Sequence, residues 1–288
     1  MRDYLQLHLV ILAWGFTAIL GKLITLPPLD VTVWRTGLAA AGFAVVALAT
    51  GRSLRVTRGE ALKLLGTGWI IGWHWVLFFL AARLSTASVC LAAMPTCMLW
   101  CSLIEPWING RRRWHLGELL AGTVMVGAVW LIYQVELRYW LGLTVGLVSA
   151  LLAAFFAVIN KQLTHRHSFT TLCFYQMVGA FAACIVTLPF FSHRLLAMLP
   201  GGADVGWLLV LSFVCTVAAY AGYVDVLRRM SVFTVNVVYN LEPVYGIVLA
   251  ALVFGDTEKM SGGFYAGALI IIGAVLLMPL VSRPEPVP

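Results

Sequence analysis

Residues 238–254 read VYNLEPVYGIVLAALVF. The stretch is apolar enough to cross a bilayer, yet Asn240, Glu242 and Pro243 lie inside it. Proline removes a backbone donor and clashes with the preceding turn, so the helix is expected to break there. A carboxylate in hydrocarbon is costly unless it faces protein or water. A segment with both features is not a plain lipid-facing strut. It reads as part of the lining of a membrane pathway, with the rest of the chain built around it.

The composition agrees. Of 288 residues, 61% are apolar and 11% charged, against about 45–50% and about 25% in soluble domains. The chain is expected to be an all-α polytopic membrane protein. Its net charge of +7 fits cationic cytoplasmic loops and not nucleic-acid binding. The first apolar run begins near Leu5 without a small-residue cleavage site, which reads as a retained helix. No phosphate-binding glycine motif is present. All six cysteines fall in apolar runs, where free Cys acts as a small hydrophobe. Cys97 and Cys101 share a helix face, but no second ligand pair has metal spacing, so neither metal nor cofactor is expected.

A spanning helix needs about 20 residues. Ten candidates follow, near 5–24, 30–50, 61–82, 86–108, 116–134, 140–160, 169–191, 205–227, 232–254 and 263–281. Turn signals at Pro27-Pro28, Gly51-Arg52, Asn109-Gly110, Pro200-Gly201-Gly202 and Gly255-Asp256 separate them. With the N-terminus inside, thirteen of the nineteen Lys and Arg residues fall in inner segments and five in outer ones, Arg35 lying within span two. Such a bias places both termini in the cytoplasm. A proline-rich tail, 284–288, is expected to be disordered.

The chain also repeats itself. Lys22-Leu23-Ile24-Thr25 matches Lys161-Gln162-Leu163-Thr164 at an offset of 139. Gly127-Ala128-Val129 matches Gly273-Ala274-Val275, and Arg83-Leu84-Ser85 matches Arg229-Met230-Ser231, both at 146. Met94-Pro95 lies opposite Glu242-Pro243 at 148. Two five-span repeats are expected, 1–138 and 139–283. Because five is odd, they would be inverted, as in many secondary transporters. Pro95 and Pro243 would then be helix breaks near mid-membrane, on opposed gating helices.

These residues carry a resemblance. Trp14-Gly15 with Lys22 closing span one resembles the opening helix of EamA-type members of the drug/metabolite transporter superfamily. Ser231 to Glu242-Pro243, then Phe254-Gly255-Asp256, resembles that family's second-half signature. The first half departs from it, with Met94-Pro95 and Asn109-Gly110 where acids would fall, and the closing acid is Asp256 in place of the usual Glu. The resemblance implies a ten-helix secondary transporter for a small metabolite, such as an amino-acid exporter in a bacterial-type inner membrane. It leaves a proton-coupled carrier of drugs or nucleotide-type solutes as the alternative. A channel or a membrane-embedded enzyme lacks supporting motifs, and no enzymatic activity is expected. The partners implied are the solute, the lipid bilayer and, in a coupled cycle, protons.

Each candidate cavity residue has a bland reading beside the functional one. His74 is either a proton relay or donor, or a neutral ring bonded to a neighbouring carbonyl. Glu242 is either a pathway carboxyl able to carry a proton, or a cap for backbone freed by Pro243. Arg35 either snorkels to the outer face or clamps a substrate carboxylate. Trp14, Trp100 and Tyr239 are candidate walls, although most Trp here fit interfacial belts. Asn240 accompanies Glu242. Asn160 and Gln176 either line the cavity or bond across helices. Glu105 reads as an ion pair with Arg111–Arg113 and Asp225 as a partner of Arg228. Gly68/Gly72, Gly142/Gly146 and Gly263/Gly267 are small-residue packing faces. Spans five and ten are nearly devoid of polar residues and are expected at the periphery.

Overall fold

The structure is a computed structural model that describes all residues except 1, 110–115, 165, 192–198, 228, 231–234, 236–237 and 282–288. The tail 284–288, together with Arg111–Arg113, Arg228 and Ser231, therefore lies outside the described residues.

Ten helical spans follow one another. Arg2–Leu23, Pro28–Ala49 and Arg58–Leu84 are spans one to three. Span four is interrupted: Ala87–Ala93, a 3₁₀ turn at Met94–Thr96, then Cys97–Asn109. Leu116–Val135, Trp140–Thr164 and Phe169–Phe191 are spans five to seven. Span eight joins Gly202–Leu209, a π-helical stretch Val210–Ala218, and Ala219–Leu227. Glu242–Phe254 belongs to span nine and Gly262–Val281 is span ten. Seven of these helices are long and apolar enough to cross a membrane.

Local chemistry sets the ends. Pro28 opens span two at a position whose N–H would be unpaired anyway. Thr57 and Glu60 form a reciprocal capping box at the start of span three. Pro95 sits in the 3₁₀ turn that divides span four. In span nine Val235, Val238 and Tyr239 are helical, Asn240–Leu241 form a turn, and the helix Glu242–Phe254 follows with Pro243 in its first turn. A turn therefore precedes Pro243, as a 3₁₀ turn contains Pro95. The π-helical segment was not foreseen. There the Thr216 hydroxyl bonds the Leu211 carbonyl, five residues back, at 2.9 Å.

Span three is the axle, packing along spans six and seven. The other principal pairs are two with seven and eight, one with eight and nine, four with six and nine, and five with ten. Glycines allow the closest approaches. A Cβ on Gly68 would lie 2.4 Å from the Gln176 carbonyl, and one on Gly15 would lie 3.0 Å from that of Glu242. The other two glycine faces also pack tightly, Gly142 against Ser85 and Gly267 against Ile132. Spans five and ten pack on each other and meet the bundle through span four.

Polar contacts between span ends check the alternation. Among the described residues, Lys22, Thr25, Arg83, Ser88, Glu136, Arg138, Asp204, Glu258 and Ser261, at the ends the charge count puts outside, bond one another or nearby backbone at that face. Gln6, Asp225 and Arg229 join at the opposite face, as do Glu105 with Lys161 and Ser53 with Thr171. Each of these contacts joins ends that the charge count had put on one side.

Candidate functional site

Four helices, spans two, three, eight and nine, deliver the charged centre. Arg35 lies in span two, about 10 Å along the helix from its outer end. It is 3% exposed. Its guanidinium stacks on Trp75 of span three at 3.9 Å, and Nε donates to Thr216 of span eight at 3.1 Å. The snorkelling reading of Arg35 is thus corrected: the side chain is held inward by an aromatic face and a hydroxyl that the π-helical stretch presents. Among the described residues, no carboxylate lies within ion-pair distance of it.

Glu242 stands about 18 Å from the outer end of span nine. It retains accessible surface, and its carboxylate has no hydrogen bond among the described residues. Arg35, Cys97, Tyr220 and Tyr239 lie within its electrostatic reach. It therefore faces spans two, four and eight. Span one approaches here, where Gly15 and Gly246 bring two backbones together. A side chain at either glycine would displace the break that positions Glu242.

An aromatic cluster adjoins it. The Trp14 ring is 5.4 Å from Tyr220, 5.2 Å from Tyr223 and 5.7 Å from Tyr239. Trp14 and Tyr239 are thus brought together as expected, and Asn240 is buried next to them in sequence. Tyr220 and Tyr223 are added by the fold; their three-residue spacing on one helix was the available signal. Trp100 buries its Nε1 with no partner among the described residues, as does Ser212 its hydroxyl one turn before Thr216.

Other candidates sit apart. His74 Nδ1 is 2.9 Å from both the carbonyl and the hydroxyl of Ser149, whose hydroxyl donates back to the His74 carbonyl. This is the carbonyl-bonded arrangement, with no bond to Nε2 among the described residues. Gln176 donates to Asn160 at 2.8 Å and to Thr67 at 3.1 Å, a bond across spans three, six and seven. Glu105 pairs with Lys161 at 2.9 Å and Asp225 with Arg229 at 2.6 Å. Cys97 and Cys101 sulfurs are 4.0 Å apart. A separate groove of about 340 Å³, lined by Lys63, Thr67, Ile159 and Arg166 among others, opens at the inner ends of spans three and six.

Ten apolar spans with an interior site of charged and aromatic groups describe a multi-pass membrane protein. Residues 140–280, just under half of the chain, match the model of the EamA-like transporter family, a family of the drug/metabolite transporter superfamily. A solved structure titled "Crystal structure of protein" shares the fold, with a TM-score of 0.66 over 98% of this chain and 99% of that one, at 16% identity. Among curated proteins there is no match.

Proposed function

We propose that the protein is a secondary transporter that exports a small metabolite, such as an amino acid, across the inner membrane by alternating access, with both termini cytoplasmic. The carrying observation is the pattern of helix pairs. Exchange spans one to five with six to ten. The pairs two–seven, four–nine and five–ten map onto themselves, while three–six becomes eight–one, four–six becomes nine–one and three–seven becomes eight–two. All nine pairs pack. This supports two five-span repeats, 1–138 and 139–283, inserted with opposite polarity, since polar contacts alternate sides along the chain.

Such a pair of repeats can rock about a midplane site to expose it to either side. The breaks at Pro95 and Pro243 fall on spans four and nine, which pack against each other, and serve as gates. Glu242, Arg35, Trp14, Tyr239, Asn240 and Trp100 form the cavity, with His74 at its edge. Asn160 and Gln176 brace the inner half. Glu242 is the candidate proton carrier.

Counterflow in proteoliposomes over a panel of solutes tests this. Saturable counterflow supports the carrier; unsaturated flux supports a channel, and conversion of the solute an enzyme. If Glu242→Gln leaves any pH-driven transport intact, proton coupling through that carboxyl is wrong.

A further inference from the structure

Arg35 poses a physical problem that the fold does not resolve by itself. A buried cation costs several kcal/mol unless it is paired. Here one guanidinium face is covered by Trp75 at 3.9 Å and Nε is used by Thr216 at 3.1 Å. The only side-chain hydrogen bond of Arg35 among the described residues is the one from Nε, so the two Nη groups have no partner there. A guanidinium with this edge open is pre-organised to hold a carboxylate by two parallel hydrogen bonds.

Glu242 poses the mirror problem. Its carboxylate also lacks a hydrogen bond among the described residues and keeps accessible surface. Geometry gathers them at one site: Thr216, which holds Arg35, lies one turn before Tyr220, whose ring is 5.4 Å from Trp14, and the adjacent Gly15 packs on the Glu242 carbonyl, yet the two charges form no ion pair among the described residues. Opposite charges in a low-dielectric interior collapse together unless the scaffold holds them apart. Trp75 and Thr216 restrain one side chain; the Gly15–Gly246 crossing fixes the backbone of the other.

We propose that Arg35 and Glu242 are a two-point clamp for a zwitterionic solute, with its carboxylate on Arg35 and its ammonium on Glu242. This rests on the carrier reading above and specifies the charge character and orientation of its substrate. The carboxylate lies toward the outer face, because Arg35 sits about 8 Å nearer its helix's outer end than Glu242 does. The Trp14, Tyr220 and Tyr239 rings cover the uncharged part. Simple cations satisfy only Glu242 and leave Arg35 unpaired; simple anions do the reverse. Each therefore leaves one buried charge uncompensated.

The test uses full-length protein in nanodiscs, with all twenty standard amino acids screened by thermal shift. Matched triads follow: phenylalanine, phenethylamine and 3-phenylpropionate, and leucine, 3-methylbutylamine and 4-methylpentanoate. At least one amino acid binds, and about tenfold or more tighter than its amine and its acid. Arg35→Gln abolishes the preference over the amine and leaves amine binding unchanged. Glu242→Gln abolishes the preference over the acid. Where Arg35→Gln does not fold, Thr216→Val weakens the amino acid but not the amine. Absence of binding by every amino acid, or equal weakening of all triad members by these variants, overturns the clamp. The two levels separate cleanly. Saturable counterflow of other solutes without charge selectivity sinks the clamp and keeps the carrier. Charge-selective binding without any counterflow sinks the carrier and keeps the clamp.

Discussion

The two faces of the bundle, called outer and inner after the Lys and Arg count, are held in different ways. At the outer face three acids are buried. Glu258 is fully buried and accepts from Lys22 at 2.7 Å, from the Ala87 and Ser88 amides at 3.0 Å each, and from the Ser88 hydroxyl at 2.8 Å. It thereby caps the start of span four while tying spans one and nine. Asp204, 5% exposed, accepts twice from Thr25, and Glu136, 4% exposed, accepts from the Ser261 amide. At the inner face the Arg229 pairs are open to water. Arg229 is 40% exposed and its partners Asp3 and Asp225 are 38% and 50% exposed. Lys161 is 52% exposed there, although its partner Glu105 is buried.

Exposed pairs contribute little, whereas breaking one half of a buried pair leaves a stranded charge. The outer end is therefore held more firmly than the Arg229 end. In the carrier proposed above, that asymmetry is what alternating access has to reverse, so it can be attacked directly.

The largest effect is expected at Glu258. Glu258→Ala removes a cap and strands Lys22, destabilising the fold by about 3–5 kcal/mol. A lower melting temperature checks this. So does labelling of Cys90, fully buried just beneath the cap, by an impermeant thiol reagent in a background with the other cysteines replaced; unchanged labelling would argue that Glu258 is no lock.

Asp204→Ala should cost less, about 1–3 kcal/mol, since it leaves the Thr25 amide and hydroxyl unpaired but no charge stranded. Its melting temperature should fall between those of wild type and Glu258→Ala.

Acid should act on the same lock. Burial alone pushes the Glu258 carboxyl up, but hydrogen bonds from Lys22, Ser88 and Ala87 overcome it and hold the group below its ordinary value of 4.5. A lowered carboxylate stabilises above the unfolded value and loses that contribution as pH falls through the folded one. Melting temperature should thus be flat above about pH 5 for this group and drop below about pH 4. The drop should shrink in Glu258→Gln.

The smallest effect belongs to the inner face. Arg229→Ala should leave the melting temperature unresolved from wild type, because its partners stay hydrated. A large loss there would erase the contrast between the faces.

Much of the fold was legible in the chain itself. Apolar run lengths marked the ten spans, and the Lys and Arg count fixed their alternation, because both depend on the bilayer and not on neighbours. Pro95 and Pro243 marked helix breaks because a missing N–H is a local property. Glycine spacing marked Gly68, Gly142 and Gly267 as close contacts. The site was less legible. Trp14 and Tyr239 were picked out and do meet. Arg35 could equally have snorkelled, and nothing in span two announces Trp75 or Thr216 as its supports. Asn160 and Gln176 were chosen as polar residues in apolar runs; the same polarity serves their bond to each other.

The sequence by itself determined a bilayer-spanning protein with broken fourth and ninth spans and an acid at the second break, since hydrophobic length, proline and charge act locally. Only the tertiary structure decided which polar groups remain unpaired. Pairing depends on distances between spans far apart in the chain, and among the described residues it left His74 bonded to Ser149, Arg35 bonded only through Nε to Thr216, and Glu242 with no side-chain hydrogen bond.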